Sequence, residues 1–152
     1  MSTEFYYDFI TPSIAVGGVD SYRKDILLFN FRLNVAFEIQ RWPQDHPWIS
    51  KVQNLEHVPL DDSNDMERCL QQAPAVLLAV DLLTEAVEEG RCCLVTCLAG
   101  RNRSALVVAE HLIQKGRAPD FAIATLQTKR ENTLGNETFV TWLKRPRNSR
   151  GL

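Results

Sequence analysis

Hydrophobic positions along this chain alternate between two spacings. Short apolar, β-branch-containing runs at Ser13 to Val16, Arg32 to Glu38, Leu55 to Leu60 and Cys92 to Val95 read as strands. Val76, Leu77, Val80, Leu83 and Val87 repeat at helical spacing, in a stretch that begins at Asn64 to Arg68 and that Pro74 restarts as a first-turn residue. Ala105 to Ile113 is too long and too continuously apolar for a strand, so it predicts a largely buried helix, with Gly116 as its stop. Further helices open at Pro119 or Asp120 and run from about Asn136 to Trp142, and a short one covers Asp20 to Phe29 with Asp20 or Ser21 as cap. Met1 to Phe9 is an aromatic-rich opening. Between Arg41 and Trp48 two prolines break all periodicity, and Trp42 and Trp48 there fold back to cap the core. Strands alternating with helices predict an α/β fold, a mainly parallel central sheet flanked by helices on both faces. Ligands bind such sheets at the carboxyl ends of the strands.

Composition narrows the picture. With 152 residues, 45% hydrophobic and 24% charged, the chain is expected to form a single soluble domain spanning 1–152. A net charge of −2 argues against a general nucleic-acid binder. No leader pattern opens the chain and no apolar run approaches a membrane span, so a cytoplasmic protein is expected. The segment from Lys144 to Leu152 reads as a short basic tail, frayed and solvated, with an anionic partner as its alternative. Cys69, Cys92, Cys93 and Cys97 lack the spacing of a disulfide framework. Cys93 and Cys97, about 13 Å apart on one strand, are beyond disulfide reach. His46, His57 and His111 form no metal-spaced pair, so no metal or cofactor is expected, and Gly17-Gly18 lacks the later glycines of a nucleotide fingerprint.

The chemistry concentrates in Val95-Thr96-Cys97-Leu98-Ala99-Gly100-Arg101-Asn102-Arg103-Ser104, where a strand ends in a cysteine and a helix begins six residues later. A tight loop closing onto a helix N-terminus turns backbone N–H groups inward and adds the positive end of the helix dipole, which favours an anion such as phosphate. Leu98, Ala99, Gly100, Arg101, Asn102 and Arg103 would form that cradle, Gly100 permitting close backbone approach and Arg103 offering a planar fork for two phosphate oxygens. Helix N-termini and neighbouring cations promote the thiolate form of a cysteine, so Cys97 is the candidate nucleophile.

Cys-x5-Arg followed by Ser is the signature of the cysteine-dependent protein tyrosine phosphatases, and the chain resembles their dual-specificity subfamily over roughly residues 10 to 143. Ile10 to Gly18 resembles that family's opening strand and turn, Leu33-Asn34-Val35-Ala36 its next strand, Val58 to Ser63 the segment carrying its general acid, and Asn136 with Phe139 its late Asn-x-x-Phe. The resemblance implies a phosphatase-like fold and a phosphomonoester hydrolase working through a cysteinyl-phosphate, on phosphotyrosine and phosphoserine or phosphothreonine. Its catalytic residues would be Cys97, Arg103, Asp62 as general acid and Ser104 as hydrogen-bond donor to the sulfur. Asp61 is the alternative acid, and Asp61 to Asp65 also suits a turn or helix cap. The family usually has His before the cysteine, and this chain has Thr96. That departure motivates a weakly active phosphate-binding module as a second reading. Arg101, a second cation in the loop, motivates a lipid or multiply phosphorylated small substrate. A rhodanese-like sulfur carrier is a third class, one that would need neither Asp62 nor Ser104. The resemblance also sets the two tryptophans near the pocket rim, where they would contact substrate. Cys69 could approach Cys97 only through the fold, where a reversible protective disulfide is the alternative to a plain buried thiol.

Overall fold

In the computed structural model, which describes residues 6–23, 28–37 and 55–152, five strands form one sheet. They are β1 (Tyr7–Thr11), β2 (Ile14–Gly18), β3 (Phe31–Ala36), β4 (Leu55–Leu60) and β5 (Cys93–Cys97), in the order β1-β2-β5-β3-β4. Only the β1–β2 pair is antiparallel; the other pairings are parallel. Every residue of β2, β3 and β5 is buried, so both faces of the sheet centre are covered, as expected of a parallel α/β sheet. β5, the strand carrying Cys97, lies in the middle.

Among the described residues, α1 (Met66–Glu88), α2 (Arg103–Gln114) and α3 (Pro119–Lys129) pack on this sheet, and α4 (Glu137–Lys144) packs on those three helices. α2 touches all three others and binds them into one hydrophobic core. α1 is long and apolar enough on average to cross a membrane. Its helically spaced face of Cys69, Ala73, Val76, Val80 and Leu83, however, is buried in this core.

Several sequence expectations change. The aromatic opening contains an edge strand, β1, because Tyr7 and Phe9 lie two residues apart and pack on Phe29 at ring separations of 5.0 and 5.8 Å. In place of the start of the expected Asp20 to Phe29 helix stands a 3₁₀ turn, Val19–Arg23, in which the Ser21 hydroxyl donates back to the Gly18 carbonyl at 2.7 Å. Residues 24–27, the end of the second predicted strand at Glu38, and both tryptophans of the proline-rich connection lie outside the described residues. Pro74 sits inside α1 and does not restart it; the cap is Asp65, which accepts from the Glu67 amide at 3.2 Å. Proline has no N–H for the Leu70 carbonyl one turn earlier. Gly151 packs there so closely that a Cβ would come 2.4 Å from the Leu70 oxygen.

The basic tail is not a frayed terminus. Arg150 is 4% exposed and its guanidinium pairs with Glu110 of α2, which is fully buried. The same guanidinium donates to the Leu143 carbonyl at 3.0 Å and the Arg145 carbonyl at 2.9 Å, and the Trp142 indole donates to the Arg150 carbonyl at 2.9 Å. Arg147 also reaches Glu110, at 3.6 Å. Glu110 cannot be buried as a charge without such partners, so at Arg147 and Arg150 the tail's cations serve the fold.

Candidate active site

Cys97 is the last residue of β5 and is 2% exposed; α2 begins at Arg103, and the connecting loop passes over the ends of the central strands. Glycine is required where the loop meets β2. Gly100 has φ +70°, and a Cβ there would lie 2.3 Å from the Gly17 carbonyl carbon; one on Gly18 would lie 2.9 Å from the Leu98 oxygen. Backbone therefore rests on backbone, and the Val19 amide donates to the Leu98 carbonyl at 3.1 Å. Gly17-Gly18, which is no nucleotide fingerprint, is the floor under the loop.

Arg130, just past the end of α3, holds the loop from behind. Its Nε donates to the Gly100 carbonyl at 2.7 Å and its Nη2 to the Ala99 carbonyl at 3.3 Å, while Nη1 pairs with Asp8 of β1 at 2.7 Å. Because a peptide plane carries its C=O and the next N–H on opposite sides, drawing these carbonyls outward turns the amides of Gly100 and Arg101 inward. Burial lowers the Arg130 pKa, and the Asp8 carboxylate opposes that shift. Arg130 and Asp8 escaped the sequence reading because nothing in the local pattern links residues 122 positions apart.

At the mouth of the loop the Ser104 hydroxyl lies 3.3 Å from the Cys97 sulfur. Arg103 is 5% exposed and donates from Nη1 to the Leu60 carbonyl at 3.0 Å, which ties the cradle arginine to the root of the acidic segment. Leu98 and Ala99 are exposed at the rim. Arg101 is half-buried, donates to the Glu131 carbonyl, and with Lys129, Arg130 and Asp8 lines a hollow of about 250 Å³. Asn102 is the cap position of α2 but makes no side-chain cap bond. Its side chain points out of the loop, donating to Asp62 at 3.1 Å and accepting from the Asn136 amide at 3.0 Å.

The two adjacent aspartates part company. Asp61 turns to α1, where its carboxylate meets Arg68 at 3.4 Å and its backbone is bracketed by the Gln72 amide at 2.9 and 2.8 Å. Asp62 turns to the loop, one carboxylate oxygen receiving Asn102 and the other receiving Asn136 at 2.8 Å. Asn136 also caps α4 through its own side-chain oxygen, so one residue anchors a helix and orients the Asp62 carboxylate. A cleft of about 490 Å³ opens beside this group, lined by Asp62, Asn102, Asn136, Glu137 and their neighbours.

Thr96 is fully buried and bonds Tyr22 and Asn34. Burial pushes the Cys93 thiol up to about 12 and the Cys69 thiol up to about 11, Asp65 adding to the latter. Cys69 contacts the Ser63 carbonyl at 3.8 Å, and all four cysteines are free. His111 is a satisfied core residue, its Nδ1 lying 2.8 Å from the Thr84 hydroxyl, and burial lowers its pKa.

The family model described as dual specificity phosphatase, catalytic domain, matches residues 19–149. No curated protein sequence matches the chain. Among solved structures, human DUSP28 superposes with TM-score 0.73 at 22% identity, over 91% of this chain and 90% of that one. The human tyrosine phosphatase-like serine/threonine/tyrosine-interacting protein superposes with TM-score 0.70 at 17% identity, covering 91% and 93%. PTPMT1, solved in complex with PI(5)P, superposes with TM-score 0.65 at 20% identity, covering 91% and 92%.

Proposed function

This chain belongs to the dual specificity phosphatase family of hydrolases, and we propose that it cleaves phosphomonoesters through a cysteinyl-phosphate intermediate. The observation that carries the reading is the Ser104 hydroxyl 3.3 Å from the Cys97 sulfur, at the start of a helix whose loop has its carbonyls drawn outward by Arg130. The Cys97 thiolate attacks phosphorus while the ester P–O bond breaks. Inward amides and the Arg103 guanidinium hold the equatorial oxygens, and Asp62 gives its proton to the departing alcohol. Water then attacks the phosphocysteine and transfers its proton to the Asp62 carboxylate. The S–P bond breaks with Ser104 donating to the leaving sulfur, and inorganic phosphate is released. Asp62 is favoured over Asp61 as the acid because Asp61 faces α1 and Arg68.

Phosphotyrosine and phosphoserine or phosphothreonine are the substrates we favour, and a thiolate nucleophile suits the reducing cytoplasm. A lipid or multiply phosphorylated small substrate is the second reading, favoured by Arg101 and Lys129 around the hollow beside the cradle and by the structural likeness to PTPMT1 with its inositol lipid. Weak turnover is the third, motivated by Thr96. Cys97→Ser should abolish hydrolysis of an aryl phosphate while vanadate still binds, because a hydroxyl occupies similar space but is far less acidic. Retained turnover in that variant would reject the covalent mechanism. Rates of the unaltered protein on phosphotyrosine, phosphothreonine and phosphoinositide would rank the substrate classes.

A further inference from the structure

We propose that Tyr22 is a positioning residue for the Cys97 nucleophile, acting through its hydrogen bond to Thr96. The proposal rests on Cys97 being the nucleophile and concerns what holds the end of its strand. Thr96 and Cys97 are neighbours on β5, so their side chains leave opposite faces of the sheet. The Cys97 sulfur faces Ser104 of α2; the Thr96 hydroxyl, on the far side, lies 2.6 Å from the Tyr22 hydroxyl and receives the Asn34 amide at 2.9 Å. Relative exposures of Tyr22, Asn34 and Thr96 are 3%, 0% and 0%, so these bonds are shielded from bulk solvent. The Asn34 carbonyl oxygen is engaged by the Ala36 amide at 2.9 Å, which orients its nitrogen as the donor to Thr96. Burial pushes the Tyr22 phenol upward, so it stays protonated and the cluster is neutral.

The turn that carries Tyr22 touches both chain neighbours of the nucleophile. Its first residue, Val19, donates its amide to the carbonyl of Leu98, and its fourth, Tyr22, reaches the side chain of Thr96. Cys97 is thus gripped from residues 96 and 98 by one five-residue segment, itself tied to β2 by the bond from Ser21 to Gly18. A side chain longer than threonine at position 96 would have to displace the phenol. The imidazole usual there in this family is replaced here by two residues, a short hydroxyl on the strand and a long one reaching it from the turn. A buried polar bond of this kind fixes geometry, because breaking it leaves the partner unsatisfied.

Four variants test this: Tyr22→Phe, Thr96→Val, Thr96→Ser, and the double Tyr22→Phe/Thr96→Val. Two readouts apply: the rate at which iodoacetate labels Cys97, followed by mass spectrometry, and kcat and KM on an aryl phosphate. Tyr22→Phe and Thr96→Val should each lower the Cys97 labelling rate and kcat by roughly five- to tenfold, leaving KM within about twofold. Thr96→Ser, which keeps the hydroxyl, should stay near the unaltered protein, and the double variant should lose no more than Thr96→Val alone, since that single already removes the Tyr22–Thr96 bond together with the one from Asn34. Unchanged labelling and kcat in Tyr22→Phe, or losses that multiply in the double variant, would overturn the proposal. Should Tyr22→Phe fail to fold, equal rates in Thr96→Val and Thr96→Ser would overturn it by themselves. Labelling requires no turnover, so an unaltered protein that hydrolyses nothing would reject the cysteinyl-phosphate reading while the role of Tyr22 is still decided.

Discussion

Asp62 is held by two side-chain amides, one from the cradle and one from the cap of α4, and both reach its carboxylate as donors. In the proposed acid role it would carry a proton on one of those oxygens, whose O–H would face the leaving group. Asn102 and Asn136 set the direction of the Asp62 carboxylate, and Asn102 couples it to the loop because it is itself a loop residue. Asp62→Asn should slow an alkyl ester such as phosphothreonine by about a hundredfold or more, while an aryl phosphate with an acidic leaving group slows far less, since only the alkyl alcohol depends on a donated proton. Rates on the two substrates across pH check this. If Asp61→Asn produced the selective loss and Asp62→Asn did not, the acid would be its neighbour.

α2 does two jobs along its length. Its first turn presents Arg103 and Ser104 to the site, and Glu110, two turns on, receives the tail through Arg147 and Arg150. The tail in turn covers the Leu70 carbonyl left without a helical donor by Pro74, so a flaw in α1 and a buried charge in α2 are met by one short segment. Arg150→Met leaves the buried Glu110 carboxylate with the Gln114 amide and, as its one remaining ion pair, the exposed Arg147, and should cost about 3 kcal/mol of folding stability. Arg150→Met combined with Glu110→Leu should cost less, because no charge is then stranded. Urea denaturation midpoints of the two variants decide it; a double variant weaker than the single would show that the pair stabilises beyond satisfying its own charges.

The molecule as a whole carries a pH-dependent term that does not involve the site. His111 on α2 bonds Thr84 on α1, and burial, reinforced by Lys115, lowers its pKa below the unfolded value. Protons then bind the unfolded chain more readily, so this contribution to stability is complete above about pH 6.5 and is lost as pH falls through the folded value. Each pKa unit of that depression corresponds to about 1.4 kcal/mol. His111→Gln, which keeps a hydrogen-bonding partner for Thr84, should flatten the fall in thermal midpoint between pH 7 and 5 relative to the unaltered protein. Identical slopes would mean that other groups carry the acid sensitivity.

The strand end at Cys97, the loop glycine and the helix start at Arg103 were legible in the sequence because their physics is local, set within a few contiguous residues. The alternation of strands and helices was legible for the same reason, since periods of two and 3.6 are set within a few residues. Packing decided the rest. Asp61 and Asp62 are equivalent to a reader of the linear chain, and only the neighbouring Gln72, Arg68, Asn102 and Asn136 turn one to α1 and the other to the loop. The basic tail looked solvated because the carboxylate that buries its arginine lies 40 residues away, inside an apolar helix. Tyr22 meets Thr96 across 74 residues, and Arg130 meets Asp8 across 122. Such contacts depend on which strand lies beside which and on where each turn drops its side chains, and spacing along the chain does not encode that.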